Sequence, residues 1–512
     1  MATARVDTTG PVRATEAGRV AGVDGDILVF RGIPYAAPPV GQRRWRSPAP
    51  PQRWAGVRQA GQFGADCYGD ARLRAGSLAP SMSEDCLYLN VWTPREGAKA
   101  GLPVMVWVYG GGFTGGTAAM PYYDGAALAR KNVVVVTLNY RTNIFGFFAH
   151  PALSAEDAHE VSGNYGLLDI LAALRWVHRN IGGFGGDPSK ITVFGESAGA
   201  SALGLLLTSP PAHGLFRQAI LESPGLVRPL ATLRESSASG KRLGDDLSKL
   251  RSLDAASLMA LAQQTMPAVR SLRKPRPIGP IVDGWLVPRT DKEAIEKGLF
   301  ARVPLVIGSN ADEGRLFTRH MPVRTIEQYG EYLRSQFGDD AAEMARCYPA
   351  RSDEEVPHAL ARVFGDDQFI RGIDAFSAAW SRWKVPVWRY RFDGLTASGR
   401  PPATHAEEIP FVFGAPGLNV FGPSPAKTVG GAERLGAGEE VAPPLLSEAM
   451  STAWTAFAGA GDPNNPTLPH WPRFSPGGSI MTFGQRIEAA SSSPDPITDA
   501  CAGRAGDANA KP

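Results

Sequence analysis

Lys190-Ile-Thr-Val-Phe-Gly195-Glu-Ser-Ala-Gly199-Ala-Ser-Ala-Leu-Gly-Leu-Leu-Leu207 is the stretch that decides the fold. Residues 190–194 have the apolar, β-branched character of a buried strand, and 200–207 have that of a buried helix. Between them the pattern Gly-x-Ser-x-Gly leaves room only for a sharp strand-to-helix turn, which holds the hydroxyl of Ser197 exposed above a sheet. Glycine at 195 and 199 suits a bend with no space for side chains, and the helix N-terminus favours negative charge developing beside it. In a chain with 58 glycines the bare pattern is weak. Its setting between strand and helix is what marks Ser197 as a candidate nucleophile.

Outward from the turn, strand and helix patterns alternate. Residues 103–109 and 132–137 are continuous apolar strands, with a helical segment at 125–131 between them. Tyr165–Asn180 carries Leu167, Leu168, Ile170, Leu171, Leu174 and Val177 at helical spacing. Gly185-Gly-Asp-Pro188 stops the chain before the strand of the turn. Downstream, 304–308 and 385–392 read as core strands, while 236–268, 326–348 and 355–383 are helical and more polar. Such alternation predicts an α/β protein with a large, mostly parallel sheet covered by helices on both faces. The polar helices form cap insertions between strands. Near the N-terminus, 18–23 and 27–31 read as small antiparallel strands, followed by an irregular Pro-rich stretch at 34–51. The expected organisation is one domain over 1–512, with loose tails at about 1–15 and 489–512.

A serine nucleophile acting on a carbonyl needs amide donors for the oxyanion, a base and an acid. Tyr109-Gly-Gly-Gly-Phe113 ends an earlier core strand, so Gly111 and Gly112 can present their amides unobstructed, with Ala198 as third donor. In chain order the acid and then the histidine should follow the serine. Of the eight histidines, His405 lies beyond the last core strand across a Gly/Ala/Pro-rich loop, and His470 is the fallback. The acid should end a core strand, and Asn310-Ala-Asp-Glu-Gly314 offers both Asp312 and Glu313, which spacing does not separate.

Composition sets outer limits. With 43% hydrophobic and 20% charged residues the chain can bury a sizeable core. Basic and acidic side chains number 53 and 50, with no Lys/Arg block, so a nucleic-acid partner is not expected. No apolar run approaches the ~20 residues of a membrane span. No spaced Cys/His cluster suggests a metal, and no cofactor is expected. Cys67 and Cys86 close a turn-rich loop suited to a disulfide, which favours an exported, periplasmic or secreted protein. Residues 1–20 hold no secretory h-region, so the signal segment would be absent from the sequence as written. Four reduced thiols in a cytoplasmic protein are the alternative.

Ser83-Glu-Asp-Cys-Leu-Tyr-Leu-Asn90, Tyr109-Gly-Gly-Gly-Phe113, Phe194-Gly-Glu-Ser-Ala-Gly199, Asn310-Ala-Asp-Glu-Gly314 and His405-Ala-Glu-Glu-Ile-Pro-Phe-Val-Phe413 together resemble the type-B carboxylesterase/cholinesterase family, over residues 18–485. The resemblance implies an α/β-hydrolase fold and ester hydrolysis through an acyl-enzyme, with Glu313 rather than Asp312 as the acid and His405 as the base. Glu196, Ser223 and Glu408 match positions that support the triad, and the family's first disulfide falls on Cys67 and Cys86. Cys347 and Cys501 are a candidate second pair. Two departures stand out: Ala406 replaces the usual glycine, and the 67–86 loop lacks the tryptophan that binds choline, so acetylcholine is a poor substrate.

Within the family, 223–233, 274–277, 346–349 and 388–392 are similar to bacterial fumonisin esterases, which release tricarballylic acid. That similarity implies a polycarboxylate small-molecule ester as substrate, with Arg228, Lys274, Arg276 and Arg315 as candidate contacts, in a monomer or weak homodimer. A generic esterase on small or aryl esters is the second reading. A catalytically inactive binding protein of this fold is a remote third.

Overall fold

In a computed structural model of the chain, the described residues are 10–96, 101–267, 271–395, 401–420 and 443–491. Ten of their strands build the main sheet: β1 Ile27–Pro34, β2 Tyr88–Pro94, β3 Leu102–Val108, β4 Val134–Leu138, β5 Gly186–Glu196, β6 Gln218–Glu222, β7 Leu305–Asn310, β8 Val387–Gly394, β9 Ser479–Gly484 and β10 Ile487–Ser491. Their order is β10-β9-β8-β7-β6-β5-β3-β4-β2-β1. From β9 across to β4 every pairing is parallel. Antiparallel pairs close the two edges. The reason lies in the side chains. β4 is Val-Val-Val-Thr-Leu, and every residue of β4, β6 and β7 is buried, as helices on both faces require.

The strand order reverses between β3 and β5, because β4 lies outside β3 and the chain then returns to the other side of it. At such a switch point the loops leaving the two strand ends diverge and open a crevice. Here the crevice lies between the triple-glycine loop after Val108 and the turn at Ser197. Gly195 pairs with Val108 in register, which brings the two loops to the same level.

Helix Tyr165–Asn180 forms at the residues its periodicity marks, and the wholly buried helix Ala198–Leu207 begins directly after the serine. Cap helices enter between strands: Leu233–Gly240, Leu247–Ser252 and Ala255–Thr265 between β6 and β7, and Ile326–Phe337, Ala341–Cys347, Val356–Gly365 and Arg371–Arg382 between β7 and β8. The second group carries its own small core, including Tyr329, Leu333, Phe337, Met344, Val356 and Leu360.

Several local expectations are corrected. The stretch 27–31 is an antiparallel strand as expected, but it lies at the edge of the main sheet as part of β1. The small sheet is Val12–Thr15, Gly18–Ala21 and residues 57–59, and its last pair is parallel. Gly185, at φ 89°, ends the helical stretch at Phe184 as expected, but β5 starts at Gly186 rather than Lys190 and carries a register shift before Ile191. The expected loose tails overlap ordered pairing at Val12–Thr15 and Ile487–Ser491, because each has an adjacent strand to satisfy its backbone. Their remainders, 1–9 and 492–512, lie outside the described residues. Cys67 and Cys86 are bonded. Cys347 is half of a disulfide, and the Cys501 offered as its partner lies outside the described residues. No helix among the described residues is long and apolar enough to cross a membrane.

Candidate active site

Ser197 sits at φ 54°, ψ −120°, a conformation costly for any side-chain-bearing residue. The surroundings enforce it. A Cβ on Gly195 would lie 2.6 Å from the carbonyl oxygen of Val108, and one on Gly199 would overlap that same oxygen. The turn can therefore press against β3 only with glycine on both sides of the serine. The Ser197 amide donates to the Glu222 carbonyl at 2.9 Å, and the Ser197 carbonyl accepts from both the amide and hydroxyl of Ser201 at 2.8 Å.

The glycine loop packs against this turn. A Cβ on Gly110 would come within 2.9 Å of the Ser197 Cβ and 2.5 Å of Glu196 Oε2. Gly111 and Gly112 hold φ of 102° and 64°. The Thr114 amide donates back to the Gly111 carbonyl at 3.0 Å, which closes the loop. The amides of Gly111, Gly112 and Ala198 make no hydrogen bond among the described residues, so they remain free for an oxyanion.

His405 follows β8 and is buried. Its Nδ1 lies 2.5 Å from Glu313 Oε2, and its Nε2 lies 3.0 Å from Oε1 of Glu196, the residue before the serine. Phe317 and Phe369 flank the ring, with centroids at 5.0 and 4.6 Å. Glu313 is fixed through its other oxygen by the Ser223 hydroxyl and the Asn310 amide, each at 2.6 Å. Asp312, the neighbour that spacing left open, instead faces Arg315 at 3.1 Å. The fallback His470 is exposed. The Ser197 hydroxyl makes no hydrogen bond among the described residues, and Nε2 rests towards Glu196. Catalytic hydrogen bonds are often long or unformed without substrate, so this resting arrangement is compatible with Nε2 serving Oγ.

Electrostatics around the ring follow from burial. Desolvation alone would push the imidazole down, but Glu196 and Glu313 together overcome it and hold the His405 pKa well above its usual value. Burial pushes Glu196 up while the ring opposes it, so the pair binds one proton more readily than either group would in water. Glu222 is pushed up to about 8 by burial, although the Trp454 indole N–H donates to it at 2.8 Å. Glu408 is raised well above its usual value by burial and then by Glu196, Glu222 and Glu313, and the Asn310 amide group donates to it at 2.5 Å. Burial thus pushes both acids towards their neutral forms.

The sequence reading did not single out Asn310, Glu222, Phe317 or Phe369. Asn310 opens the motif it quoted, and Glu222 is the polar end of an apolar strand, so both carried a signal; the two phenylalanines, on cap helices, carried none. The basic candidates separate. Arg276 donates to the Gly112 carbonyl at 2.5 Å, and burial lowers its pKa. Arg228 is pulled down to about 9 by burial and then by Arg276. Lys274 is exposed. Arg315 is taken by Asp312 and the Pro402 carbonyl. A cavity of about 1990 Å³ has Glu313 and Arg228 in its wall but neither Ser197 nor His405.

Comparison with known proteins gives the same picture. The profile of the carboxylesterase family matches residues 9–493. The fumonisin B1 esterase of Sphingopyxis macrogoltabida is 56% identical over 484 residues, spanning 94% of this chain and 88% of that protein. The para-nitrobenzyl esterase of Bacillus subtilis (strain 168) is 38% identical, spanning 91% and 93%. A solved PNB esterase structure superposes with a TM-score of 0.81 at 34% identity, covering 96% of this chain and 99% of the other. The α/β-hydrolase fold is therefore shared along nearly the whole chain, and the protein belongs to the carboxylesterase family and is a carboxylic-ester hydrolase.

Proposed function

We propose that Ser197, His405 and Glu313 carry out two-step acyl transfer on a fumonisin-type ester. What supports the triad is one geometric observation: the His405 ring bridges Glu313 and the residue adjoining Ser197, at 2.5 and 3.0 Å. Neutral His405 takes the Ser197 proton as Oγ attacks the ester carbonyl. The oxygen that becomes an anion rests on the amides of Gly111, Gly112 and Ala198. The imidazolium then protonates the leaving alcohol, and water activated by the same ring releases the acid and restores the serine. Ser223 and Glu408 act indirectly, through Glu313 and Asn310, and Glu196 tunes the ring.

What supports the substrate is the 56% identity to a fumonisin B1 esterase over most of the chain, together with the fumonisin-esterase-like stretches outside the catalytic motifs. Incubation with fumonisin B1 should release tricarballylic acid, detected by mass spectrometry, and Ser197→Ala should stop the release. An intact toxin beside rapid cleavage of 4-nitrophenyl esters would favour the generic esterase instead. The cap helices are insertions into one sheet, which supports a single functional domain, and the Cys67–Cys86 bond supports an oxidising compartment.

A further inference from the structure

Gly111, Gly112 and Phe113 all sit at positive φ, at 102°, 64° and 64°. For the bulky Phe113 that conformation is strained, so the loop that offers the oxyanion amides has to be held in shape by its surroundings. Tethers on three successive carbonyls do this. The Gly111 carbonyl accepts from the amide and the hydroxyl of Thr114, each at 3.0 Å, and the Phe113 carbonyl accepts from the Asn143 amide at 2.7 Å. Between them, the Gly112 carbonyl accepts from Arg276 Nη1 at 2.5 Å. This middle tether comes from the cap insertion between β6 and β7, 164 residues away along the chain.

The chain around Arg276 is stiff. In Lys274-Pro-Arg-Pro277 the two prolines fix φ on either side, and Pro277 disfavours helical backbone at Arg276 itself. The stem of the side chain is packed as well, since a Cβ on Gly279 would lie 3.3 Å from Arg276 Cβ. The guanidinium lies 5.8 Å from the ring centroid of Phe113, within cation–π range, so it meets both the strained residue and the carbonyl before it. It has no ion-pair partner within 4.0 Å among the described residues. A charged donor makes a stronger hydrogen bond than a neutral one. Gly112 has no Cβ to restrict its rotation, so without that bond the peptide planes on its two sides can turn independently.

We propose that Arg276 is a positioning residue for the oxyanion hole: it locks the Gly112–Phe113 peptide and so keeps the amides of Gly111 and Gly112 aimed at the reacting carbonyl. The role rests on the ester-hydrolase reading of Ser197 given above. It differs from gripping the substrate, because an arginine bound to the loop acts on every ester alike, whatever its acyl group carries.

The test compares the wild type with Arg276→Met, which keeps the length of the side chain without its N–H donors. The substrates are 4-nitrophenyl acetate and mono-4-nitrophenyl succinate, with active sites counted by phosphonate titration. The second readout is inhibition by a trifluoromethyl ketone, whose adduct with Ser197 places an oxyanion on the same amides. Removing one oxyanion donor outright costs roughly 10²- to 10³-fold, so loss of the tether should lower kcat by roughly 10- to 100-fold on both esters. KM should change little, and inhibition by the ketone should weaken by a similar factor. If Arg276→Met does not fold, Arg276→Gln carries the same test with the same readouts. A loss confined to the succinate ester would make the arginine a substrate contact and overturn the proposal. A fall in kcat with ketone inhibition unchanged, or variants equal to the wild type, would overturn it too. Those outcomes leave the hydrolase reading intact, whereas a wild type that cleaves neither ester and binds no ketone overturns both.

Discussion

Replacing Glu196 by Gln should move the acid limb of the pH–rate profile to lower pH by at least one unit. The argument starts from geometry. Glu196 Oε1 lies 3.0 Å from His405 Nε2, and Glu313 holds the opposite nitrogen at 2.5 Å. Both carboxylates favour the imidazolium, whereas catalysis needs the neutral ring to take the serine proton. Activity therefore rises with pH as the ring loses its proton, and the raised pKa of His405 places that rise above the usual histidine range. At an effective dielectric of ~20, one charge 3 Å away contributes about 5 kcal/mol to holding the ring's proton. This is a ceiling, because burial pushes Glu196 towards its own neutral form and removes part of the effect. The glutamine is nearly isosteric, so the packing around the ring is retained. The assay is kcat/KM between pH 4 and 10 on a neutral ester with no ionisation of its own. An acid limb that stays in place or moves upward would refute the reasoning, since it would mean that Glu196 does not hold the proton of the ring.

Other consequences follow from the same site. Glu313→Gln keeps the shape but removes the charge that orients the ring, and kcat should fall by roughly 10³ to 10⁴-fold in steady-state assays with KM little changed. Gly199→Ala places a Cβ on the Val108 carbonyl oxygen, so it should cost more than ~2 kcal/mol in chemical denaturation and abolish covalent labelling of the serine. Cys67→Ser opens a loop of 19-residue separation, and the chain-entropy relation puts the loss at about 3 kcal/mol, measurable as a shift in the urea midpoint.

Most of the sheet was legible because parallel core strands advertise themselves. A run such as Val133-Val-Val-Val136 has no solvent-facing alternation, and few other environments tolerate it. The elbow was legible for a sharper reason: glycine on both sides of a serine, between strand and helix, is demanded by the carbonyl of Val108 against which the turn packs. Edge pairing was less legible. Residues 27–31 join the main sheet through β2, a partner some sixty residues away, and no local pattern encodes that choice. The acid was ambiguous because Asp312 and Glu313 are adjacent and equally acidic. The family resemblance pointed to Glu313, and the fold gives the physical reason: Glu313 faces the imidazole and Asp312 an arginine. The upward shift of Glu222 and Glu408 was hidden too, since it arises from burial among distant chain segments rather than from sequence neighbours.

Ala406 shows how a departure from family habit can be read physically. It holds φ at 68°, the left-handed region where glycine is at ease, directly after His405. A methyl group is accommodated there at the expense of strain of order 1 kcal/mol.

The most direct measurement is mass spectrometry of the intact protein after treatment with a phosphonate ester, followed by peptide mapping. A single adduct should form on the hydroxyl of Ser197, and Ser197→Ala should lose both adduct and ester turnover. An adduct on another side chain, or ester hydrolysis that persists in Ser197→Ala, would contradict the account.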